Sequence, residues 1–360
     1  MIPVLLLGFA WFTGATWMRF SGAADRWWLM LLGALAVGFI PTALAGFNLD
    51  HPLLRAVYRL TALALGFLNF AFVAALACWL ALGLVRLAGL PIAPRTIAAV
   101  LYGGAILATV AGVINAANVR VTRVTVDLPG LPGAWIGRDV VLVSDLHVGN
   151  VRSQRFVQRI VARLQRLKPA AVFIVGDMFD GAKVDVGAAV QPWADLRTPA
   201  GVFFVSGNHD EFSERAPYFA ALGRTGVRVL HNERVDVAGL QIIGVHDGES
   251  HDAGLFRQIL DRARIDRGRA SILLSHRPVK LEIPEQAGVS LQLSGHTHGG
   301  QFWPWSLVVA KIYGRFAYGL SRQGSLQIFT SSGAGTWGPP LRVGTRSEIV
   351  LLHLRAEKKA

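Results

Sequence analysis

VVLVSDLH, residues 140–147, decides how the rest of the chain is read. Its aliphatic run has no polar break until Ser144, as in a strand buried on both faces. The run then ends in a carboxylate and an imidazole two positions apart. Similar runs recur as AVFIV (171–175), GVFFV (201–205), LQIIGV (240–245), SILLS (271–275) and VSLQLS (289–294). Between the first two lies RSQRFVQRIVARLQRLKP, which puts Phe156, Ile160, Leu164 and Leu167 on one helical stripe. Helical patterns also follow GNHD and fill 252–267. Buried strands alternating with helices predict α/β layers covering a sheet on both faces. VRVTRVTVDL (119–128) alternates, which predicts a strand with one exposed face, and SLQIFT (325–330) and EIVLLHL (348–354) are expected in a second sheet.

Upstream the composition changes. The chain has 360 residues and a net charge of +13, yet residues 1–119 hold only eight charged side chains. A bilayer crossing needs roughly 17–25 largely uncharged residues. Four stretches, about 3–18, 28–47, 60–85 and 97–117, are read as spans of a transmembrane region over 1–118, with a second domain over 119–360. Trp17, Trp27 and Trp28 sit near span ends, as interfacial aromatics do. The first span has no basic segment before it and three more after it, unlike a cleaved signal. Loop arginines do not orient the bundle: Arg19, Arg26, Arg86 and Arg95 stand against Arg55, Arg59, Arg120 and Arg123. An even span count returns the second domain to the side of the N-terminus, whose lack of charge favours the outer face of the membrane. Cys78, in the third span, is the single cysteine, which excludes an intrachain disulfide and a cysteine-based metal site.

The turns after the buried strands carry the chemistry. Asp145-Leu146-His147 follows the first, Gly176-Asp177 with Asp180 the second, and Gly207-Asn208-His209-Asp210 the third. His276 follows SILLS, and Gly295-His296-Thr297-His298 follows LQLS. Ligand sites in α/β sheets gather beyond the carboxyl ends of strands. Asp, Asn and His offer oxygen and nitrogen donors without thiolate, a set that suits Mn, Fe or Zn and holds enough donors for more than one ion.

In combination D-x-H (145–147), G-D-x-x-D (176–180), G-N-H-D (207–210), His276 and G-H-x-H (295–298) resemble the full signature of calcineurin-like metallophosphoesterases. SHRP (275–278), GHTHGGQ (295–301) and GAGTWGPPLR (333–342) resemble a membrane-associated bacterial subgroup, which includes enzymes that cleave UDP-2,3-diacylglucosamine; Ser347 stands where that subgroup commonly has proline. The resemblance covers about 138–355. It implies a four-layer αββα sandwich and two divalent metal ions, manganese first and iron or zinc as alternatives. It further implies that Asp145, His147 and His298 bind one ion, Asn208, His276 and His296 the other, and Asp177 both. Hydrolysis would proceed by attack of a metal-bridging hydroxide, with His209 serving the leaving oxygen and Asp210 orienting His209. Asp180 is expected outside the ligand set. His231, His246, His251 and His353 are expected as packing or surface residues, although His246-Asp247 ends a sixth apolar run at the same edge.

Gln301–Leu320 (QFWPWSLVVAKIYGRFAYGL) is aromatic and apolar for a segment beside such a centre. It reads either as a packed hairpin or as a lip that enters the membrane interface through Phe302, Trp303 and Trp305, with Lys311 and Arg315 toward headgroups. A lip and an anchor favour a lipid-linked phosphodiester or pyrophosphate as substrate. The alternatives are a tethered phosphoesterase of broad or nucleotide-type specificity and a non-catalytic scaffold. The basic helix with Arg152, Arg155, Arg159, Arg163, Arg166 and Lys168 reads most simply as a solvated face, with anionic lipid as the sharper alternative. No nucleic-acid partner is expected, because the nearby aromatics fall on the apolar stripe rather than among the arginines.

Overall fold

The computed structural model describes residues 2–24, 27–212 and 215–357; Arg26, counted above among the loop charges, lies outside them. The chain divides into two compact units, residues 1–117 with 337–343, and residues 118–336 with 344–360.

The first unit holds helices α1 (Ile2–Ser21), α2 (Trp27–Gly46), α3 (Pro52–Leu87) and α4 (Pro94–Ala117). Among the described residues α3 and α4 are long and apolar enough to cross a membrane, and Met30–Gly46 is a shorter apolar stretch. The third expected span, 60–85, grows by a turn and more at its start. His51 caps α3 by accepting the Leu53 N–H (3.2 Å) and Pro52 supplies its first helical residue, so the helix takes in Arg55 and Arg59. Residues 337–343 (WGPPLRV), which take in the end of the 333–342 motif, pack with these helices. Leu341 is fully buried, and a side chain at Gly66 would collide with it. The Arg342 N–H donates to the Gly112 carbonyl (2.9 Å), and Asn115 Nδ2 donates to the Arg342 carbonyl (3.0 Å).

The second unit contains strands β1 (Arg120–Leu128), β2 (Asp139–Val143), β3 (Ala171–Val175), β4 (Val202–Val205), β5 (Val227–Val229), β6 (Glu233–Val237), β7 (Leu240–Gly244), β8 (Ser271–Leu274), β9 (Leu291–Ser294), β10 (Gly319–Gln323), β11 (Leu326–Thr330) and β12 (Glu348–Ala356). Its helices are α5 (Gln154–Leu167), α6 (Val186–Val190), α7 (Arg215–Arg224), α8 (Asp247–His251), α9 (Ala253–Ala263), α10 (Glu282–Ala287) and α11 (Trp305–Tyr313). The strands form two six-stranded mixed sheets, ordered β1-β12-β2-β3-β4-β5 and β10-β11-β9-β8-β7-β6.

The inner faces of both sheets meet in one core, where Leu142, Phe173 and Phe203 of the first join Ile242, Ile272 and Leu293 of the second. Phe156, Ile160 and Leu164 of α5 cover the outer face of the first sheet, and Phe256, Ile259 and Leu260 of α9 cover that of the second. Helix, sheet, sheet and helix thus follow in layers, with the central strands β3, β4, β7, β8, β9 and β11 buried on both faces. One expectation is corrected: EIVLLHL does not join the second sheet. β12 lies between β1 and β2 in the first, parallel to β1 and antiparallel to β2. Its run is apolar on both faces, which suits an interior position in either sheet, so its partners are not written locally.

β2, β3 and β4 run parallel, as do β7, β8 and β9. Within each sheet the chemistry-bearing turns therefore leave from one edge.

Candidate metal centre

Five residues of the predicted ligand set have left-handed backbone: Asp145 (φ 53°), His147 (49°), Asp177 (50°), His296 (70°) and His298 (50°). Such conformations cost roughly 1–3 kcal/mol each for a residue with a side chain and persist where surroundings over-determine them. The turns brace one another. The Asp145 N–H donates to the Gly176 carbonyl and the His147 N–H to the Asp177 carbonyl, both at 3.0 Å. The His296 N–H donates to Asp145 Oδ1 (3.0 Å), and the His209 N–H to Asp177 Oδ1 (2.8 Å). Glycine is required at two crossings: a Cβ on Gly207 would meet Asp177 Oδ1, and one on Gly295 would meet Asp145 Oδ2.

The side chains converge accordingly. His147 Nε2 and His298 Nε2 are 3.0 Å apart, and His298 Nε2 is 3.5 Å from Asp145 Oδ1. His276 Nε2 stands 3.2 Å from Asp177 Oδ2, and His147 Nε2 stands 3.7 Å from the same oxygen. Potential ligand atoms cluster as Asp145–His147–His298 and as Asp177–His276–His296, each within 4.8 Å; His147, Asp177 and His209 form a third such group. A cation bonded at about 2.1 Å to each donor separates neighbouring donors by roughly 3.0–3.4 Å, close to these spacings. His296 and His298, two apart in sequence, fall in different clusters. The left-handed turn at each removes the opposite-face arrangement of an extended strand.

Two further details fit a cation. The Asn208 Oδ1 is buried without a hydrogen-bond partner, an arrangement costly for an amide oxygen unless an electropositive group faces it. The His276 Nδ1 lies 3.0 Å from the Val175 carbonyl; donating its proton there leaves the Nε2 lone pair toward the carboxylates. His147 Nδ1 is likewise held by Asp180 Oδ1 (3.1 Å), which puts Asp180 behind the His147 ring and apart from the clustered donor atoms.

Electrostatics point the same way. Burial would raise the Asp177 carboxyl, but the imidazoles of His276, His147 and His209 hold it well below the usual range. His276 is pushed up to about 10: burial works against its charge, and Asp177 and Asp145 overcome it. Burial and the neighbouring His276 drive His296 down to about 3. His147 is raised as well: burial opposes its charge, and Asp180, Asp177 and Asp145 overcome it. Two buried imidazoles are thus pushed toward the charged form beside the carboxylates, and a cation would meet the same demand in their place.

His209 is the nearest unassigned imidazole, its ring 4.8 Å from that of His147 and 4.5 Å from Phe212. The expected role of Asp210 needs revision. Its Oδ1 accepts the Phe179 N–H (2.9 Å) and its Oδ2 the Gly207 N–H (2.8 Å), so both oxygens brace the loop. His209 Nδ1 instead faces the Asp180 carbonyl at 3.4 Å. The reason is local: an aspartate just after the turn is the right length to cap the amides beneath it.

His246 is also a brace. Its Nδ1 accepts the Ser206 N–H (3.0 Å), and burial lowers it to about 4, keeping it neutral. Sequence reasoning missed the pair beside it, Arg277 Nη2 to Asp247 Oδ2 at 2.9 Å. The signal was present, since Arg277 follows His276 and Asp247 ends an apolar run. The 301–320 segment is no packed hairpin. Residues 305–313 form α11, in which no residue is buried. Trp305 is 53% exposed and Ile312 68%, while the Tyr313 ring lies 6.2 Å from that of His296.

Comparison with known proteins agrees with this geometry. Residues 139–300 match the family model for calcineurin-like phosphoesterases. An uncharacterized metallophosphoesterase of Campylobacter jejuni is 33% identical over 243 residues, 66% of this chain and 64% of that protein. A transmembrane protein with metallophosphoesterase domain from Bos taurus is 32% identical, covering 69% of this chain and 60% of that one. An uncharacterized metallophosphoesterase of Aquifex aeolicus is 30% identical over 246 residues, 66% of this chain and 92% of that protein. The first two matches span only 60–64% of the relatives' own length.

Proposed function

Because the chain belongs to the calcineurin-like metallophosphoesterases, we propose that it is a membrane-anchored, two-metal hydrolase of phosphodiester or pyrophosphate bonds in a lipid-linked substrate. The observation that carries this reading is the convergence of five strand-end turns, three of them with left-handed backbone, on three overlapping groups of donor atoms. Asp145, His147 and His298 would hold one cation, Asn208, His276 and His296 the other, and Asp177 would reach both. Imidazole and carboxylate donors suit Mn²⁺, with Fe²⁺ or Zn²⁺ as alternatives. Such a pair of ions supplies Lewis acidity toward a phosphoryl oxygen and a water of lowered pKa.

The chain's own groups do the rest. His209, anchored through its backbone to Asp177 Oδ1, is positioned to pass a proton to the leaving oxygen or to hydrogen-bond it. Asp210, through Gly207 and Phe179, keeps the loop that carries Asn208 and His209 in place. Asp180 fixes the His147 ring.

Three features support a lipid-linked substrate over a soluble one. α3 and α4 are fit to cross a membrane. The exposed apolar α11 stands beside His296, where an acyl chain could lie against it. The Bos taurus relative is itself a transmembrane protein. The test is turnover in nanodiscs with Mn²⁺, comparing CDP-diacylglycerol with the soluble UDP-glucose. A kcat/KM about a hundredfold higher on the lipid supports the reading. Equal values would assign the chain to soluble esters, and equal activity of Asp177→Asn and wild type would remove the metal mechanism.

A further inference from the structure

The second sheet sets three residues in a row beyond its strand ends. β8 runs between β7 and β9, parallel to both, with Leu274 paired to Gly244 on one side and to Leu293 on the other. Asp247, Arg277 and His296 follow Gly244, Leu274 and Leu293 by three residues each. Within this row Arg277 Nη2 reaches Asp247 Oδ2 at 2.9 Å. Both main chains are held in place. On either side of Asp247, the His246 N–H donates to Asn232 Oδ1 (2.8 Å) and the Gly248 N–H to Glu211 Oε2 (3.1 Å). Arg277 follows His276, whose ring is fully buried, and its carbonyl accepts from Gln292 Nε2 (3.3 Å).

The Arg277–Asp247 pair is not closed on itself. Arg277 Nε and Asp247 Oδ1 are both buried without a hydrogen-bond partner. Buried polar groups are normally matched, so two open ones in a single pair call for a physical reason. A guanidinium has five N–H donors, and Asp247 is the one side chain paired with it among the described residues, at Nη2. The pair as a whole is neutral; what it offers a ligand is directional, a set of unused donors fixed in one plane. The Arg277 side chain keeps 23% of its surface open, so a ligand can reach it. Its charge is felt at His296 and at Tyr313, whose rings lie 6.2 Å apart, which puts the guanidinium on the His296 side of the donor atoms.

We propose, resting on the two-metal reading above, that Arg277 is a substrate-binding residue. Its guanidinium donates to a non-bridging oxygen of the phosphoryl group held at the metals, and Asp247 sets its direction. A planar guanidinium matches phosphate oxygens two at a time, which orients the group as well as attracting it. Those oxygens carry the charge of the transition state in phosphoryl transfer, so a fixed donor there aids the reaction without handling a proton. His209 serves the oxygen that leaves, and Arg277 the oxygens that stay.

The test is calorimetric titration of the Mn²⁺-loaded full chain in detergent with inorganic phosphate, beside metal content and bis-p-nitrophenyl phosphate turnover. Arg277→Gln is expected to keep its manganese and lose phosphate affinity about 10–100-fold, with a matching fall in kcat/KM. Arg277→Lys keeps the charge without the fork and should recover part of the loss. Asp247→Asn should weaken phosphate binding severalfold alone and add nothing to Arg277→Gln, because it acts through Arg277. Phosphate bound by Arg277→Gln as tightly as by wild type overturns the proposal, and so does a loss of manganese that accounts for the weaker binding. If Arg277→Gln misfolds, Arg277→Lys decides: a drop in affinity of about threefold or more supports the proposal, and wild-type affinity overturns it. Asp177→Asn separates this from the metal reading, because it should lower manganese content and phosphate binding together. A wild-type chain that takes up no manganese removes that reading and the proposal with it, whereas a loaded chain indifferent to Arg277 removes the proposal alone.

Discussion

Adding one methyl group, by Gly207→Ala, probes the site through its tightest crossing. Gly207 is outside the left-handed region, so alanine adopts its backbone without strain. By chain entropy alone the substitution would stabilise by about 0.4–1 kcal/mol. A steric clash outweighs this gain. The new Cβ would strike Asp177 Oδ1, and it would stand 2.5 Å from the Asp177 N and 2.9 Å from its Cγ. Asp177 cannot withdraw freely, being 2% exposed and held at φ 50° by the turn. Overpacking of this kind costs about 1–3 kcal/mol, so the net loss is near 1–2 kcal/mol. Function should suffer far more. Displacing a shared carboxylate by about 1 Å lowers turnover roughly a hundredfold, and metal affinity falls about 10–100-fold. Gly223→Ala in α7 is the matched control, since its Cβ meets nothing within 4 Å. It should be neutral or stabilising by up to about 1 kcal/mol. Urea unfolding, metal content and bis-p-nitrophenyl phosphate turnover measure all three quantities. Full metal content and wild-type kcat/KM in Gly207→Ala would refute the placement of Asp177 at the heart of the site.

Four other outcomes follow from the same geometry. Chelation should lower the melting temperature by about 5–10 °C per site emptied, read by calorimetry with ligand at a hundred times its Kd. His209→Ala should lower kcat about 10²–10⁴-fold with the metal content unchanged, as for a group that handles only a proton. Trp303→Ser with Trp305→Ser should raise KM severalfold for CDP-diacylglycerol and leave that for bis-p-nitrophenyl phosphate unaltered. Burial tends to raise Glu249, but its bond to Arg215 outweighs this and holds the carboxyl below its ordinary 4.5. That depressed pKa stabilises the fold above pH 4.5 and the gain is lost as pH falls through the folded value. Glu249→Gln should therefore cost up to about 1 kcal/mol at pH 7, solvent screening being appreciable, and converge with wild type under acid.

Much of this fold could be read from runs such as AVFIV and GVFFV, because a strand buried on both faces needs no partner to declare itself. β12 is just as apolar, yet its sheet is not legible, since pairing with β1 and β2 joins residues more than two hundred apart. β5 and β6 were not anticipated, being short and partly exposed. At the site, donor types and the turns that carry them were legible, whereas hydrogen-bond roles were not. Asp210 was expected to orient His209, and only the folded chain brings its oxygens to Gly207 and Phe179. Arg277–Asp247 went unseen for the same reason: the pair joins side chains from separate elements. The division of WGPPLRV from GAGT is equally a tertiary fact.

The central claim is that one carboxylate, Asp177, serves two cations at once. Electron paramagnetic resonance of the Mn²⁺-titrated full chain tests it most directly. The account predicts two manganese ions per chain with an exchange-coupled signal, which Asp177→Asn converts to isolated six-line spectra with reduced occupancy. Two uncoupled ions in the wild type, or a coupled pair that survives Asp177→Asn, would contradict it.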